Sequence, residues 1–600
     1  MFNTRAILDS LDSGSTANVL SELLSRKGLE QNAAAVDAAE ARARAALTEP
    51  IPPLPWSLLR LFEDCGDRRR FEIPYFARRK RLADLEISIL AGRDADGSLL
   101  AALHDLLWAI CDEYSWSLPA HFFLKRPVPI TLDLFASETG LYLAEALHLL
   151  EDRLDRRVAE RCRAEIKRRI LDSFLGDYPP EWWEKGTNNW GAVCAGSIGI
   201  AFLYEEADPA RRRAALSRVV ATMDAFLSSF PPDGTCLEGM GYWEYGFGSF
   251  ALFADFIHQF TRGAADLFDD PRARRIALFP QSVALSGSRT VSFADGSRFY
   301  APGSAATTIL HRHYGNAVRL GPPDFARPAP TMPSAKPAML LRALLWNSPD
   351  RKPAPLPDGA FFLADAQWLI VRHAPFAFAA LFGDNGSPHN HNDIGSFLLV
   401  DGDEEGPMDL GSGEYTRKYF SSERYTILCN GSQGHSVPIV GGALQKAGGR
   451  FRATDVAFRE EAGEVVFSGD IAGAYGLDSL ASLRRVFHVR PDDGEATLAD
   501  SFAFNGEPRP VTERFVGYAD AEVTGPGEAR FGAFAVRFDP ALKASVHTEP
   551  MSPHGRMQGS DDKRIVHFLD IELPAGADRF EIAFARRPAG KAEAAPPPQI

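Results

Sequence analysis

The densest run of metal-ligating and proton-transferring side chains is Asn385-Gly386-Ser387-Pro388-His389-Asn390-His391-Asn392-Asp393-Ile394-Gly395-Ser396-Phe397. If the chain is extended from Pro388, side chains alternate and His389, His391 and Asp393 share one face. Downstream stand Asp409, in Pro407-Met408-Asp409-Leu410-Gly411, and His435, in Gly434-His435-Ser436. A His, Asp, His set with an open position suits Zn or a similar divalent ion. The same spacing also fits a polar loop of hydrogen-bonded histidines, and both readings stand at this level.

A second cluster, Asp233-Gly234-Thr235-Cys236-Leu237-Glu238-Gly239-Met240-Gly241-Tyr242-Trp243-Glu244-Tyr245-Gly246, precedes an apolar segment. Glycines, carboxylates and aromatics at a helix start suit a cleft whose rings stack on a ligand. A tyrosine hydroxyl there can transfer a proton if its neighbours lower its pKa. The plainer alternative is that these aromatics cap a helical core. A third cluster, Gly186-Thr187-Asn188-Asn189-Trp190-Gly191, opens another apolar segment. Asn pairs make good helix caps. They can also donate an amide hydrogen bond to a substrate carboxylate, with Trp190 stacked on a sugar. Arg417 and Arg424, close in sequence to Tyr415 and Tyr419, are either solvated charges or the holders of an anionic substrate.

These clusters need elements to position them. Residues 20–346 read as helices, with apolar spacing of i, i+3, i+4 over 99–110, 137–153, 156–174, 193–204, 211–230 and 246–260. Gly, Pro, Asp and Asn punctuate them, as expected for helical hairpins that can close into an α/α toroid. After the Pro-rich stretch 352–359 the texture changes to short runs at 360–363, 368–372, 397–400, 464–467, 485–489, 496–498, 514–518, 535–538, 564–569 and 579–585. Regular short strands between turns predict antiparallel sheets stacked as a sandwich. The expected organisation is a helical toroid over 1–350, a β-sandwich over 351–590 and a disordered Ala/Pro tail over 591–600.

Length and composition set the outer bounds. The 600 residues are too many for one small domain, and 45% hydrophobic with 24% charged residues is a globular balance. A net charge of -14 argues against nucleic acid as the main partner, though cations can still concentrate locally. No apolar run approaches the roughly 20 residues of a membrane span. The first residues carry no apolar core or cleavage site of a signal peptide, which predicts a cytoplasmic protein, or a periplasmic one if an upstream signal has been removed. Six cysteines without a CxxC pair predict free thiols.

The order of the motifs is more specific than any one of them. Helical hairpins, then Asn188-Asn189-Trp190, then DGxxxEGxGYWxYG, then a sandwich opening with HNHNDxGSF, then the Asp409 segment and His435, resemble the heparinase II/III family of polysaccharide lyases. The motifs cover about residues 170–440, and the remainder resembles the family in architecture. The resemblance implies an (α/α) toroid joined to an antiparallel β-sandwich, with the site between them. It also implies β-elimination on uronic-acid polysaccharides or oligosaccharides of glycosaminoglycan or alginate type. By that resemblance Asn189 neutralises the uronate carboxylate, and Tyr242 is the catalytic acid and, for some sugar configurations, also the base. His389 is the second proton-transfer group. His391, Asp409 and His435 match the family's ligands for a divalent ion, Zn or Mn, that is mainly structural. Trp190, Glu238, Tyr245, Tyr415, Arg417 and Arg424 are the expected substrate contacts, and Tyr245 is the reserve phenol. One departure stands out: several relatives carry His directly after the Asn, where this chain has Trp190.

Three rivals follow from the same residues. A uronyl C5-epimerase shares the carbanion step and returns the proton from the other face. An inverting glycoside hydrolase needs two carboxylates, for which Glu238 and Glu244 are candidates. A carbohydrate-binding protein without activity needs no Tyr/His pair.

Overall fold

The computed structural model describes residues 2–25, 27–186, 188–286, 289–299, 305–321, 336–347, 351–352, 354–551 and 564–587. It divides into two units: a helical unit of residues 1–236, 241–281 and 301–355, and a sheet unit of residues 237–240, 282–300 and 356–600. The single boundary expected near residue 350 is thus replaced by an interleaved division, because two short segments within the helical stretch pack with the sheets. The tail 591–600 lies outside the described residues.

In the helical unit, aspartates and asparagines start the helices as capping chemistry requires. The Asp133 side chain accepts from Ala136 N–H at 2.7 Å ahead of the Leu134–Leu149 helix. Asp208 caps the Pro209–Leu227 helix, with Pro at the first position, where no amide hydrogen is needed. The Asn189–Glu205 helix is apolar all round and buried along nearly its whole length, which marks it as central. It packs against the Leu134–Leu149, Pro209–Leu227 and Gly248–Phe260 helices. Gly199 permits that closeness, since a Cβ there would lie 2.8 Å from Phe253 and 2.9 Å from Val219. Among the described residues no helix is long and apolar enough to cross a membrane, and the six cysteines are free, all but Cys65 buried.

The sheet unit holds a five-stranded sheet (Gly359–Leu363, Trp368–His373, Phe376–Leu381, Phe397–Asp401, Glu404–Glu405) and an eight-stranded sheet, both antiparallel. Their inner faces meet in one apolar core. Phe378 and Phe397 of the first sheet lie 5.4 and 5.5 Å from Phe487 of the second, and Phe397 lies 5.5 Å from Phe584. That is the expected sandwich. A four-stranded sheet carrying Val511–Gly517 and Ile565–Leu573 extends it.

The segment 284–299 belongs to this unit. Isolated bridges Ala284 to Thr290 and Arg289 to Phe299 fold it back on itself. Arg289 and Arg298 each contact Glu405 at 2.6 Å, which ties the fold-back to the end of the five-stranded sheet.

Candidate active site

The HNHND run is not a strand. His389 has φ of +57° and sits in a turn, and Asn390 N–H donates to Ser387 O at 3.2 Å. The expected alternation of His389, His391 and Asp393 on one extended face is therefore not what brings these residues to their partners. The loop is fixed instead by Gln445, which bonds both N–H and C=O of Ile394, and by Tyr425, whose hydroxyl donates to Asn390 Oδ1 at 2.8 Å.

What gathers the histidines is a residue the sequence reading passed over. Asp295 lies in the turn Phe293–Gly296, its carboxylate has no solvent exposure, and five donors converge on it. Oδ2 takes His389 Nδ1 at 2.7 Å and the Tyr415 hydroxyl at 2.9 Å. Oδ1 takes His391 Nε2 at 3.1 Å, Arg424 at 3.1 Å and the Tyr419 hydroxyl. Burial works to raise this pKa. The hydrogen bonds from His389 and His391, with the charges of His389 and Arg424, outweigh burial and hold the carboxyl well below its ordinary value. The signal for Asp295 in sequence was only an Asp-Gly turn, which is common in any chain.

Two of the expected substrate contacts are engaged here. Arg424 is largely buried, and its charge is taken up by Asp295; Tyr415 donates to the same carboxylate and stacks on the His389 ring at 6.1 Å. Arg417 and Lys418 are exposed on the adjoining turn. Phe420 of that turn, 53% exposed, stands edge-on to His389 at 6.3 Å and was not singled out in the sequence. Glu238 also belongs to the sheet unit, with its Oε2 3.6 Å from His389 Nε2, beyond hydrogen-bond reach. Burial pushes the Glu238 pKa up, and the neighbouring His389 partly offsets this.

The other face of His391 meets the expected ligands. His391, Asp409 and His435, joined by Asp393, are all buried and place one ligand atom each within 4.8 Å of one another. His391 Nδ1 and Asp393 Oδ2 are buried without a hydrogen-bond partner, and His435 Nδ1 lies 3.2 Å from Asp409 Oδ2 as a buried ion pair. Each imidazole has its other nitrogen fixed from behind, His391 by Asp295 at 3.1 Å and His435 by Cys429 O at 3.1 Å. That leaves lone pairs facing the cluster, as in carboxylate-backed metal sites. Four converging nitrogen and carboxylate-oxygen ligand atoms of this type fit a divalent ion.

In the helical unit, Asn189 is the first residue of its helix and Asn188 is the cap, accepting Trp190 N–H at 3.1 Å. Asn189 is buried against Gly246, where a Cβ would approach within 2.9 Å of the Asn189 Cβ. This close approach brings the Asn motif beside the Tyr242 motif. Tyr242 is half-buried and leads into a π-helical turn, Trp243–Phe247. Trp243 is core, its Nε1 donating to Ile276 O at 2.8 Å. Tyr245 is buried beneath Lys336 at 3.9 Å, and burial pushes its pKa well above the ordinary value. Trp190 packs edge-on to His121 at 4.8 Å and against the partly exposed Trp182 at 5.2 Å. His121 Nδ1 is held in turn by the buried Asp133 at 2.7 Å.

Comparison with known proteins bears on the fold and on one domain of the chain. Residues 348–580 match the family described as Heparinase II/III-like, C-terminal. No curated protein matches the chain significantly by sequence. A crystal structure of heparinase III is similar over 92% of this chain and 85% of its own, at 12% identity and TM-score 0.62. A mutant of heparan sulfate lyase HepC from Pedobacter heparinus is similar over 92% and 84%, at 13% identity and TM-score 0.56. Streptomyces coelicolor A3 chondroitin AC lyase, solved in complex with chondroitin sulphate, is similar over 94% and 82%, at 14% identity and TM-score 0.54. Residues 348–580 are therefore a Heparinase II/III-like C-terminal domain, in a chain with the helical-toroid and β-sandwich fold of these lyase structures.

Proposed function

We propose that the protein is a polysaccharide lyase that cleaves uronic-acid glycans by β-elimination. The observation that carries this reading is His389, held through Nδ1 by an ionised buried carboxylate, within a domain that matches the Heparinase II/III-like family. Heparan sulfate lyase and chondroitin AC lyase are among the structures this chain resembles, which supports an acidic glycan as substrate.

The chemistry sets three requirements. The C5 hydrogen beside a carboxylate is weakly acidic, so the carboxylate charge must be met by a donor, the proton removed, and the O4 leaving group protonated. Asn189 offers an amide at a helix start, where the backbone field also favours an anion. Tyr242 is the acid, and in some sugar configurations also the base; Tyr245, with its raised pKa and its place in the core, is the poorer proton donor. His389 is the second proton-transfer group. Trp190 stacks on a sugar ring, and the exposed Arg417 and Lys418 attract the polyanion. His391, Asp393, Asp409 and His435 would hold a divalent ion, Zn or Mn. When bound it would brace the loops that carry them, and the proton transfers are left to the side chains named above.

The test is absorbance of the unsaturated uronide on incubation with heparin, heparan sulfate, chondroitin sulfate, hyaluronan and alginate. At least one polymer is expected to respond, which separates elimination from epimerisation and from hydrolysis. Tyr242→Phe and His389→Ala are expected to lower kcat by about 10²–10⁴. Full activity in Tyr242→Phe together with loss in Glu238→Gln would point to the hydrolase.

A further inference from the structure

We infer that Asp295 is a positioning residue that sets the tautomer and direction of two histidines at once, His389 for proton transfer and His391 for the four-residue cluster. The kinetic arm of this inference rests on the lyase reading; the spectroscopic arm does not.

The geometry leaves little freedom. With Tyr415, Tyr419 and Arg424 also converging on its two oxygens, the carboxylate is placed to accept, so His389 Nδ1 and His391 Nε2 both donate to it. In the neutral ring the lone pair then falls on Nε2 of His389 and on Nδ1 of His391, the second of which faces Asp393, Asp409 and His435. Rotation of the carboxylate is opposed on both oxygens, by Tyr415 on Oδ2 and by Tyr419 and Arg424 on Oδ1. The backbone is pinned as well. Ala294 takes φ of +58°, and a Cβ on Gly239 would lie 3.0 Å from Gly296 Cα. Ser292 Oγ donates to Asp409 O at 3.3 Å, tying the turn to a residue of the cluster. With no solvent exposure, water cannot replace a lost partner. An imidazole whose Nδ1 hydrogen is held this way presents Nε2 in one orientation; an amide in place of the acid can itself donate and favours the wrong tautomer.

The test combines long-range 1H–15N correlation spectra of histidine-labelled protein with steady-state kinetics. In the native chain His389 is expected as the Nδ1–H tautomer and His391 as the Nε2–H tautomer, each assigned by single substitution. Asp295→Asn is expected to move His389 toward Nε2–H and to lower kcat about 10²–10⁴-fold with KM little changed. Tyr419→Phe, which removes a donor from the oxygen that does not hold His389, is expected to leave the His389 tautomer in place. Native spectra showing His389 as Nε2–H, or Asp295→Asn with kcat within threefold of native, would overturn the inference. Native protein that turns over none of the polymers would sink the lyase reading instead, and the tautomers would still decide the role of Asp295.

Discussion

Burial acts in opposite directions on two acidic side chains. Asp295 stays ionised because hydrogen bonds and positive charge overcome desolvation. Glu86, in the Arg69–Leu90 helix, has no such partner for its Oε1; burial first, then the nearby Glu145, push its pKa up to about 8, against some relief from Arg342. Between about pH 4.5 and 8 the unfolded chain ionises this group and the folded chain does not. The unfolded state then binds fewer protons, and stability falls as pH rises. Glu86→Gln removes that dependence. Its melting temperature is expected to match the native protein near pH 4.5 and to exceed it increasingly toward pH 8, by about 1.4 kcal/mol of stability per pH unit of the interval. A constant difference across that range would show that Glu86 titrates normally. The contrast also explains what sequence could reveal of the site. His389, His391, Asp409 and His435 announced themselves by residue type. Asp295 did not, since a carboxylate gains its meaning from the five donors around it, drawn from segments nearly a hundred residues and more away.

Strands with one buried face show their period, and the runs 368–372 and 397–400, buried on both faces, were legible as continuous apolar stretches. The Leu480–Arg490 strand alternates, and the expected run 485–489 falls inside it, close to its C-terminal end but without its first residues, Leu480 to Arg484. The Phe376–Leu381 strand is buried on both faces and shows no alternation; Thr454–Glu461 is polar and largely exposed. The first lacks the period that betrays a strand, and in the second only Val456 and Phe458 carry it. The helix expected over 156–174 is interrupted by a π-helical turn at Lys167–Leu171, where an extra residue per turn shifts the register without changing the composition. The 480–490 strand also carries the strongest structural prediction. Arg485 is fully buried, paired with Asp500 and Glu513, and donates to Gly395 O at 2.9 Å and Ser436 O at 2.8 Å. One side chain thus holds the loop after Asp393 and the residue after His435. Arg485→Met leaves two buried acids unpaired and is expected to cost about 3–5 kcal/mol, read by denaturant unfolding. A loss below 1 kcal/mol would mean the loops hold themselves.

At the scale of the whole chain, an ion held by the His391, Asp393, Asp409 and His435 cluster should register in the sheet unit, to which all four residues belong. An ion at about a thousand times its dissociation constant adds roughly 4 kcal/mol to the state that binds it. Calorimetry with a strong chelator is expected to lower the transition of the sheet unit and leave that of the helical unit in place. Unchanged transitions, with no metal found by elemental analysis of the purified protein, would mean the cluster is a hydrogen-bonded polar core. The interleaving of the units has a practical consequence. The backbone changes unit after residues 236, 240, 281, 300 and 355. A fragment begun at Leu356 would keep every strand and both histidines but leave behind Glu238 and the acid to which His389 and His391 donate. Such a half-molecule would be chemically mute, so dissection of this protein calls for point substitution or for supplying the missing turn as a separate peptide.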